Sequence, residues 1–157
     1  GHIIFNSESL EEGLKEYVRL FSIVNEAISL VFDTDEKYAY LRFIHLNPEH
    51  YCIPDMERSM VLSLYRGKAL FDSDIRWESV DFQHAQPNYI DKYQKVFNCP
   101  LNFNQSHCQI VFQRKYLELA PNANSAAEKG CCALPNGEDF VFKPNSDVGE
   151  NCPLVKP

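Results

Sequence analysis

Residues 78–103 read ESVDFQHAQPNYIDKYQKVFNCPLNF and hold the densest structural signals of the chain. Phe82 and His84 continue an alternation of apolar and polar residues, which is the two-residue period of a strand. Pro87 breaks this strand because proline has no N–H to donate to a ladder. Apolar residues at three- and four-residue spacing then predict a short helix, which ends before Pro100. The stretch predicts a strand, a proline corner, a short helix and a second strand.

The flanking sequence predicts two longer helices, a hairpin and a last strand. Apolar stripes at helical spacing predict one helix that opens at residues 6–9 and another over residues 55–71. Alternation on both sides of a polar turn predicts hairpin strands at 27–32 and 38–46, and a last strand is expected over 107–112. We therefore expect an α+β fold, with a four-stranded, mostly antiparallel sheet and helices packed on one face.

The composition indicates one globular domain followed by an irregular segment. The chain has 157 residues and 45% hydrophobic content, which suits a single domain with a sizeable core. The composition changes near Pro121, because residues 121–157 hold five of the nine prolines. We predict an effector-like domain over residues 1–120 and an irregular tail rich in Pro, Gly and Cys over 121–157.

The charge of the chain limits the classes of partner. The formal net charge is −7, and nucleic-acid affinity comes largely from Lys and Arg, so no direct nucleic-acid contact is expected. The sequence has no apolar run of membrane-spanning length and no signal-peptide pattern, so no membrane contact and a cytoplasmic location are expected. We interpret the six cysteines as reduced thiols of a cytosolic protein.

The sequence carries no motif of catalysis or metal binding. It lacks a GxSxG elbow, a P-loop and a GxGxxG loop, so we predict a protein that is not an enzyme, with no catalytic residue and no cofactor. The close pairs of His and Cys, at residues 50 and 52 and at residues 107 and 108, lack the spacing of zinc ligands. No metal site is predicted.

Four side chains are candidates for binding a small ligand: Tyr40, Arg42, His45 and His84. A guanidinium binds carboxylates well, so Arg42 with Tyr40 could hold an anionic small molecule. The alternative for these two is the solvated face of a sheet. His84 shares a face with Phe82, which suggests either a hydrogen-bonded core histidine or a contact to a ligand in a pocket. His45 lies on the same predicted strand as Tyr40 and poses the same choice.

A family resemblance rests on the order and spacing of the residues Phe82, His84, Pro87, Tyr93, Phe97, Cys99, Pro100, Leu101 and Phe103. This pattern resembles the N-terminal effector domain of AraC/XylS-type transcriptional regulators, in the subgroup called arabinose-binding-like, which differs from the sugar-binding cupin. The resemblance covers about residues 1–120. It implies a sensor that binds a small metabolite, forms a homodimer and is coupled to a DNA-binding unit with two helix-turn-helix motifs.

The sequence departs from the family in two respects. Family sensors carry a helical segment before the position that matches Gly1, so we expect an N-terminally shortened domain. The segment 121–157 is too short for two helix-turn-helix units, so we expect a truncated regulator without its own DNA-binding unit. The family also supplies no ligand-contacting position that can be transferred to this chain.

The resulting hypothesis is a non-enzymatic domain for small-molecule sensing, for dimerisation, or for both, which resembles the regulatory half of an AraC-type regulator. The alternative is a stand-alone interaction module that forms a dimer or titrates a full-length regulator. A small enzyme is the third hypothesis.

Overall fold

A computed structural model describes residues 7–70 and 75–120 of the chain. The predicted tail over 121–157 lies outside the described residues. The elements in chain order are α1 (Leu10–Val24), β1 (Ile28–Thr34), β2 (Tyr38–His45), α2 (Ile53–Leu70), β3 (Trp77–Asp81), α3 (Ile90–Phe97), β4 (Leu101–Asn102) and β5 (Cys108–Gln113). Single-turn helices at Pro48–His50 and Arg114–Glu118 complete the described elements.

The α+β class is confirmed, and the sheet has one strand more than predicted. Its strand order is β1-β2-β5-β3-β4. All neighbours are antiparallel except β3 and β4, which are parallel, so the sheet is mixed. The additional strand is β4, which pairs only Leu101 with Val80 and Asn102 with Asp81. It lies where residues 78–103 predict a second strand after Pro100, which the expected count of four strands did not include.

Local hydrogen bonds fix the start of α1 and its connection to β1. The Ser9 hydroxyl accepts from the Glu12 N–H at 3.3 Å, which satisfies one of the free donors of the first turn. At the other end, the Asn25 side-chain oxygen accepts from the N–H groups of Ala27 and Ile28 at 3.0 and 2.9 Å. Asn25 therefore sets the turn from which the first strand begins.

The sheet is buried on one face. Along β2, the buried residues Ala39, Leu41 and Phe43 alternate with partly exposed Tyr40 and Arg42. The buried face belongs to the same core cluster as the apolar stripes of the three helices. The expected arrangement of helices packed on one face therefore agrees with the burial pattern.

Phe82 lies at the centre of an aromatic cluster and is fully buried. Its ring centroid is 5.0 to 5.5 Å from those of His84, Tyr93, Phe97 and Phe103. Burial of large aromatic rings is a major source of core stability, and these rings all come from residues 78–103. The stretch that predicted the fold thus also supplies an aromatic cluster of the core.

The prediction that the β3 strand continues through His84 is wrong. The strand ends at Asp81, and the Phe82 N–H donates to the Asn102 carbonyl at 2.8 Å. The Phe82 carbonyl then accepts from the Gln105 N–H at 2.9 Å, which belongs to the loop after β4. The backbone therefore leaves the sheet one residue after Asp81, and His84 lies in the following loop.

A ladder of polar side chains crosses the open face of the sheet, with one residue from each strand. Arg42 Nε donates to the Gln109 side-chain oxygen at 3.1 Å, and Gln109 Nε2 donates to Asp81 at 2.7 Å. Asn102 Nδ2 donates to the other oxygen of Asp81 at 2.8 Å. The Arg42 guanidinium also lies 3.4 Å from the carboxylate of Asp33. The ladder satisfies Asp81, which is only 8% exposed.

Candidate functional site

Three histidines lie at one end of the central strands of the sheet because of the strand order. The strands β2, β5 and β3 are neighbours and alternate in direction. The end of β2, the start of β5 and the end of β3 therefore lie side by side at the same end of the sheet. His45 is the last residue of β2, His107 directly precedes β5, and His84 lies three residues after β3. Topology thus brings together residues that are far apart in sequence.

These histidines line a cavity of about 350 Å³. This volume is within the usual range of small-molecule sites. The lining residues are Phe43, Ile44, His45, Pro48, Tyr51, Gln83, His84 and His107. Two of the four candidates from the sequence, His45 and His84, are therefore found at one cavity. Tyr51, Gln83 and His107 were not predicted for this role. Tyr51 lies just before α2, His107 directly before β5, and Gln83 two residues after β3.

His45 presents a hydrogen-bond donor that has no acceptor among the described residues. Its side chain is buried, with 7% of the residue exposed. The Nδ1 atom accepts from the Asn47 N–H at 3.2 Å, so the neutral ring carries its proton on Nε2. Nε2 is buried and lacks a hydrogen-bond partner in the part of the chain that the structure describes. An unsatisfied buried donor is costly, so this atom is suited to bind an acceptor on a ligand.

Tyr51 and His84 connect the cavity wall to the protein interior. The Tyr51 hydroxyl lies 3.3 Å from His84 Nδ1 and 3.1 Å from the Cys108 sulfur. On the other side of the imidazole, Nε2 lies 3.2 Å from the Tyr93 hydroxyl. Tyr93 belongs to α3, so a chain of hydrogen bonds runs from the cavity to that helix.

Glu57 is a buried carboxyl group behind this wall. It belongs to α2, is 1% exposed, and lies 3.9 Å from His84 Nε2. Burial raises the pKa of Glu57 to about 7, which the hydrogen bond from Tyr89 at 3.4 Å partly opposes. Burial lowers the pKa of His84 to about 4. In weakly acidic solution the proton of this pair therefore resides on the carboxyl group, and both groups are uncharged.

The sequence contained a signal for Glu57 that the prediction did not use. Glu57 precedes Met60 by three residues and Val61 by four, and both of these are fully buried. Residues at this spacing lie on the same face of a helix. A carboxylate on the apolar stripe of α2 therefore indicated a buried acidic group.

The described cysteines do not form a reactive site. Cys99 and Cys108 are free, and burial raises the pKa of both thiols, that of Cys99 to about 11. Thiols with raised pKa values stay protonated and are poor nucleophiles. Cys52 is disulfide-bonded, so the interpretation of all six cysteines as reduced thiols is wrong at this position. Within residues 7–70 and 75–120, no group of three His, Cys, Asp or Glu side chains is arranged to hold a metal ion.

Tyr40 and Arg42, the other two candidates, lie on the open face of the sheet. The Tyr40 hydroxyl donates to Asp35 at 2.5 Å, and the Arg42 guanidinium is part of the polar ladder. The guanidinium also lies 5.3 Å from the centre of the Tyr40 ring. Their polar atoms thus have partners within the chain, and the structure separates these two residues from His45 and His84.

A comparison with known families identifies the family to which this fold belongs. The family described as the arabinose-binding domain of AraC transcription regulators, N-terminal, matches residues 1–120. The chain belongs to this family. The family of AraC-type arabinose-binding domains is one of regulatory domains, which points to a role other than catalysis.

A solved structure supports the same fold for this AraC-type domain. The crystal structure of the transcriptional regulator CdpR from Pseudomonas aeruginosa superposes with a TM-score of 0.59 at 11% sequence identity. The match covers 78% of this chain and 42% of the CdpR chain, so this chain spans less than half of that protein. No curated protein sequence matches the chain. No described helix has both the length and the apolar character needed to cross a bilayer.

Proposed function

We propose that the chain is a non-enzymatic, ligand-sensing domain of AraC-type regulation. Its effector binds in the cavity lined by His45, His84 and His107. The observation that carries this proposal is His45, a residue that lines the cavity and whose buried Nε2 lacks an acceptor among the described residues. A regulatory family and a small-molecule-sized cavity support the same conclusion.

The walls of the cavity offer a route by which binding can alter the domain. A ligand that contacts Tyr51 or His84 competes with their hydrogen bonds to each other and to Tyr93. These bonds join the loop before α2 to α3 and to the loop after β3. A ligand that binds one arrangement of these elements more tightly shifts the population toward it.

The remaining partners follow from charge and from the family. With a net charge of −7, the chain is a poor partner for a phosphate backbone, so we assign DNA binding to residues outside this chain. We also propose a cytoplasmic location, because a DNA-binding regulator acts where the DNA is.

Ligand binding is expected to depend on His45 and not on Arg42. A metabolite screen by thermal shift should find at least one stabilising compound, with a gain of about 2.7 kcal/mol when its concentration is 100 times Kd. His45→Phe removes the cavity donor and should abolish this gain. Arg42→Gln is the matched control on the open face of the sheet and should preserve it.

Two results would contradict the proposal. One is a broad metabolite library that contains no stabilising compound and no compound that perturbs the cavity residues in a protein NMR spectrum. The other is a ligand whose binding is lost in Arg42→Gln and kept in His45→Phe. The second result would assign the site to the open face, where Tyr40 and Arg42 were the candidates from the sequence.

A second candidate function is self-association through the β1–β2 hairpin. β1 is an edge strand of the sheet, and Val31 on β1 and Ile44 on the neighbouring β2 are about 40% exposed. Leu46, directly after β2, is 59% exposed. Exposed apolar side chains beside an unpaired strand edge favour pairing with a second chain.

Self-association predicts a concentration-dependent dimer that Val31→Lys disrupts. A charged residue at the centre of an edge strand is a common means of blocking edge pairing. Analytical ultracentrifugation should show a dimer for the wild-type chain and a monomer for Val31→Lys. Lys37→Glu, in the turn at the far end of the hairpin, is the control. A monomer at every accessible wild-type concentration would exclude this function.

A further inference from the structure

The described part of the cavity wall contains no permanently charged side chain. Its residues are Phe43, Ile44, His45, Pro48, Tyr51, Gln83, His84 and His107, without any Lys, Arg, Asp or Glu among them. The polar groups of this wall are already engaged, except at His45 and the rim. The Gln83 amide donates to the Ser106 carbonyl at 3.0 Å, and both ring nitrogens of His84 contact tyrosine hydroxyls.

This wall is poorly suited to a sugar. A pentose carries several hydroxyl groups, and each needs a donor or an acceptor when it leaves water, because an unpaired polar group is costly. Among the lining residues, His45 carries one donor without an acceptor, its buried Nε2, and Phe43 and Tyr51 add apolar and aromatic surface. Most hydroxyls of a bound pentose would therefore have no partner on this part of the wall.

The wall is equally poorly suited to a carboxylate. A buried anion needs a paired cation or several charge-assisted hydrogen bonds. The imidazole of His84 is uncharged near neutral pH, because burial lowers its pKa to about 4. The side chain behind it is Glu57, which becomes negative as the pH rises and would repel an anion. His107 is exposed and lies at the rim, where water weakens its electrostatic effect.

We propose that the effector is an uncharged small molecule with an apolar, preferably aromatic, body and one carbonyl oxygen that accepts a hydrogen bond from His45 Nε2. This inference rests on the proposed ligand-sensing function. The aromatic body packs against the ring of Tyr51, whose centroid is 5.9 Å from that of His45. A carbonyl satisfies the buried donor without the desolvation cost of a charge.

A matched set of probes tests the ligand class. Acetophenone carries the carbonyl on an aromatic ring, ethylbenzene lacks the acceptor, benzoate carries a charge, and L-arabinose carries the hydroxyl groups of a pentose. Acetophenone is expected to bind about tenfold more tightly than ethylbenzene, which corresponds to one hydrogen bond to a buried donor. It should also shift the ¹⁵N resonance of His45 Nε2 in the wild-type chain. Benzoate and L-arabinose should bind more weakly than acetophenone.

Variants assign the preference to His45. His45→Phe should remove the preference for acetophenone over ethylbenzene, whereas Arg42→Gln on the open face should preserve it. His45→Gln keeps an N–H donor and should retain part of the preference. If His45→Phe does not fold, the shift of His45 Nε2 in the wild-type chain decides the question alone.

The outcomes separate this inference from the proposed function. Tighter binding of benzoate or L-arabinose, with the resonances of His45 and His84 shifted, overturns the ligand class and leaves the sensing function in place. Equal affinity for acetophenone and ethylbenzene overturns the hydrogen bond to His45. A library of uncharged carbonyl compounds that leaves the cavity resonances unchanged overturns the ligand class. If libraries of acids and sugars do the same, the proposed function is contradicted as well.

Discussion

Replacing Phe82 by alanine is expected to lower the free energy of unfolding by about 4 kcal/mol, the middle of the range for buried aromatic residues. Phe82 is fully buried, and four aromatic rings surround it at centroid distances of 5.0 to 5.5 Å. These rings come from a loop, from α3 and from the residues after β4, so no single element can close the cavity that the substitution leaves. Little relaxation is therefore expected, and the full penalty should remain.

Urea denaturation monitored by circular dichroism measures this loss. Ile23→Ala is the control, because Ile23 is 66% exposed at the end of α1 and should change stability by less than about 0.5 kcal/mol. Phe82→Leu fills part of the cavity and should recover part of the loss. A loss below about 2 kcal/mol for Phe82→Ala would show that the cluster collapses around the cavity and that Phe82 is not its centre.

Glu57→Gln is expected to make the domain lose about 3 kcal/mol of unfolding free energy as the pH falls from 6.5 to 4, a loss absent from the corresponding interval in the wild type. The pKa of His84 is about 4 in the folded chain and ordinarily 6.5. Acid therefore protonates His84 in the unfolded chain first, and this draws the equilibrium toward unfolding. In the variant, the glutamine cannot bind a proton in the folded chain, so nothing offsets the protonation of His84 in the unfolded chain.

His84→Gln is expected to show the opposite pH dependence. The pKa of Glu57 is about 7 in the folded chain and ordinarily 4.5, so a rising pH removes the proton from the unfolded chain first. The stability present below pH 4.5 is therefore lost as the pH rises toward 7, by about 3 kcal/mol. In the wild type, both states hold one proton between pH 4.5 and 6.5, on Glu57 when folded and on His84 when unfolded. The two effects then cancel.

Denaturation curves at a series of pH values test the pair. The double variant Glu57→Gln with His84→Gln is the control, because it keeps every other titrating group and should be as flat as the wild type between pH 4.5 and 6.5. Single variants whose stability follows the wild-type curve at every pH would mean that water reaches Glu57 and His84 in the folded chain. The two groups would then have ordinary pKa values.

The parts of the fold that were predictable from sequence are those with a local repeat. Leu10 and Phe21 belong to a helical stripe, and the alternation of Ala39, Leu41 and Phe43 marks a strand, so the longer helices and the hairpin follow from short windows. β4 lies where the stretch 78–103 predicted a second strand, but the expected count of four strands left it out. The end of β3 was misplaced because Phe82 keeps the alternation of a strand while its backbone already bonds to the loop at Gln105.

The candidate site depends on strand order, which no local pattern contains. His45, His84 and His107 lie at the same end of the sheet only because β5 inserts between β2 and β3. Residue chemistry alone made Arg42 one of the four candidates, since a guanidinium can bind an anion. In the structure its hydrogen bonds go to Gln109 and Asp33. The grouping of candidate residues into one site was thus less predictable than the identity of a core residue.

The polar ladder on the open face also protects the sheet against misalignment. Arg42 pairs directly with Gln109, and Gln109 with Asp81, so the side-chain bonds exist only in the native register. A slip of β5 by one residue would turn Gln109 into the core and place Ile110 on the open face. That error would break the bonds to both neighbours at once and remove the Gln109 donor from the carboxylate of Asp81. The ladder thus favours the native register over shifted ones, which an apolar surface of equal stability would not do.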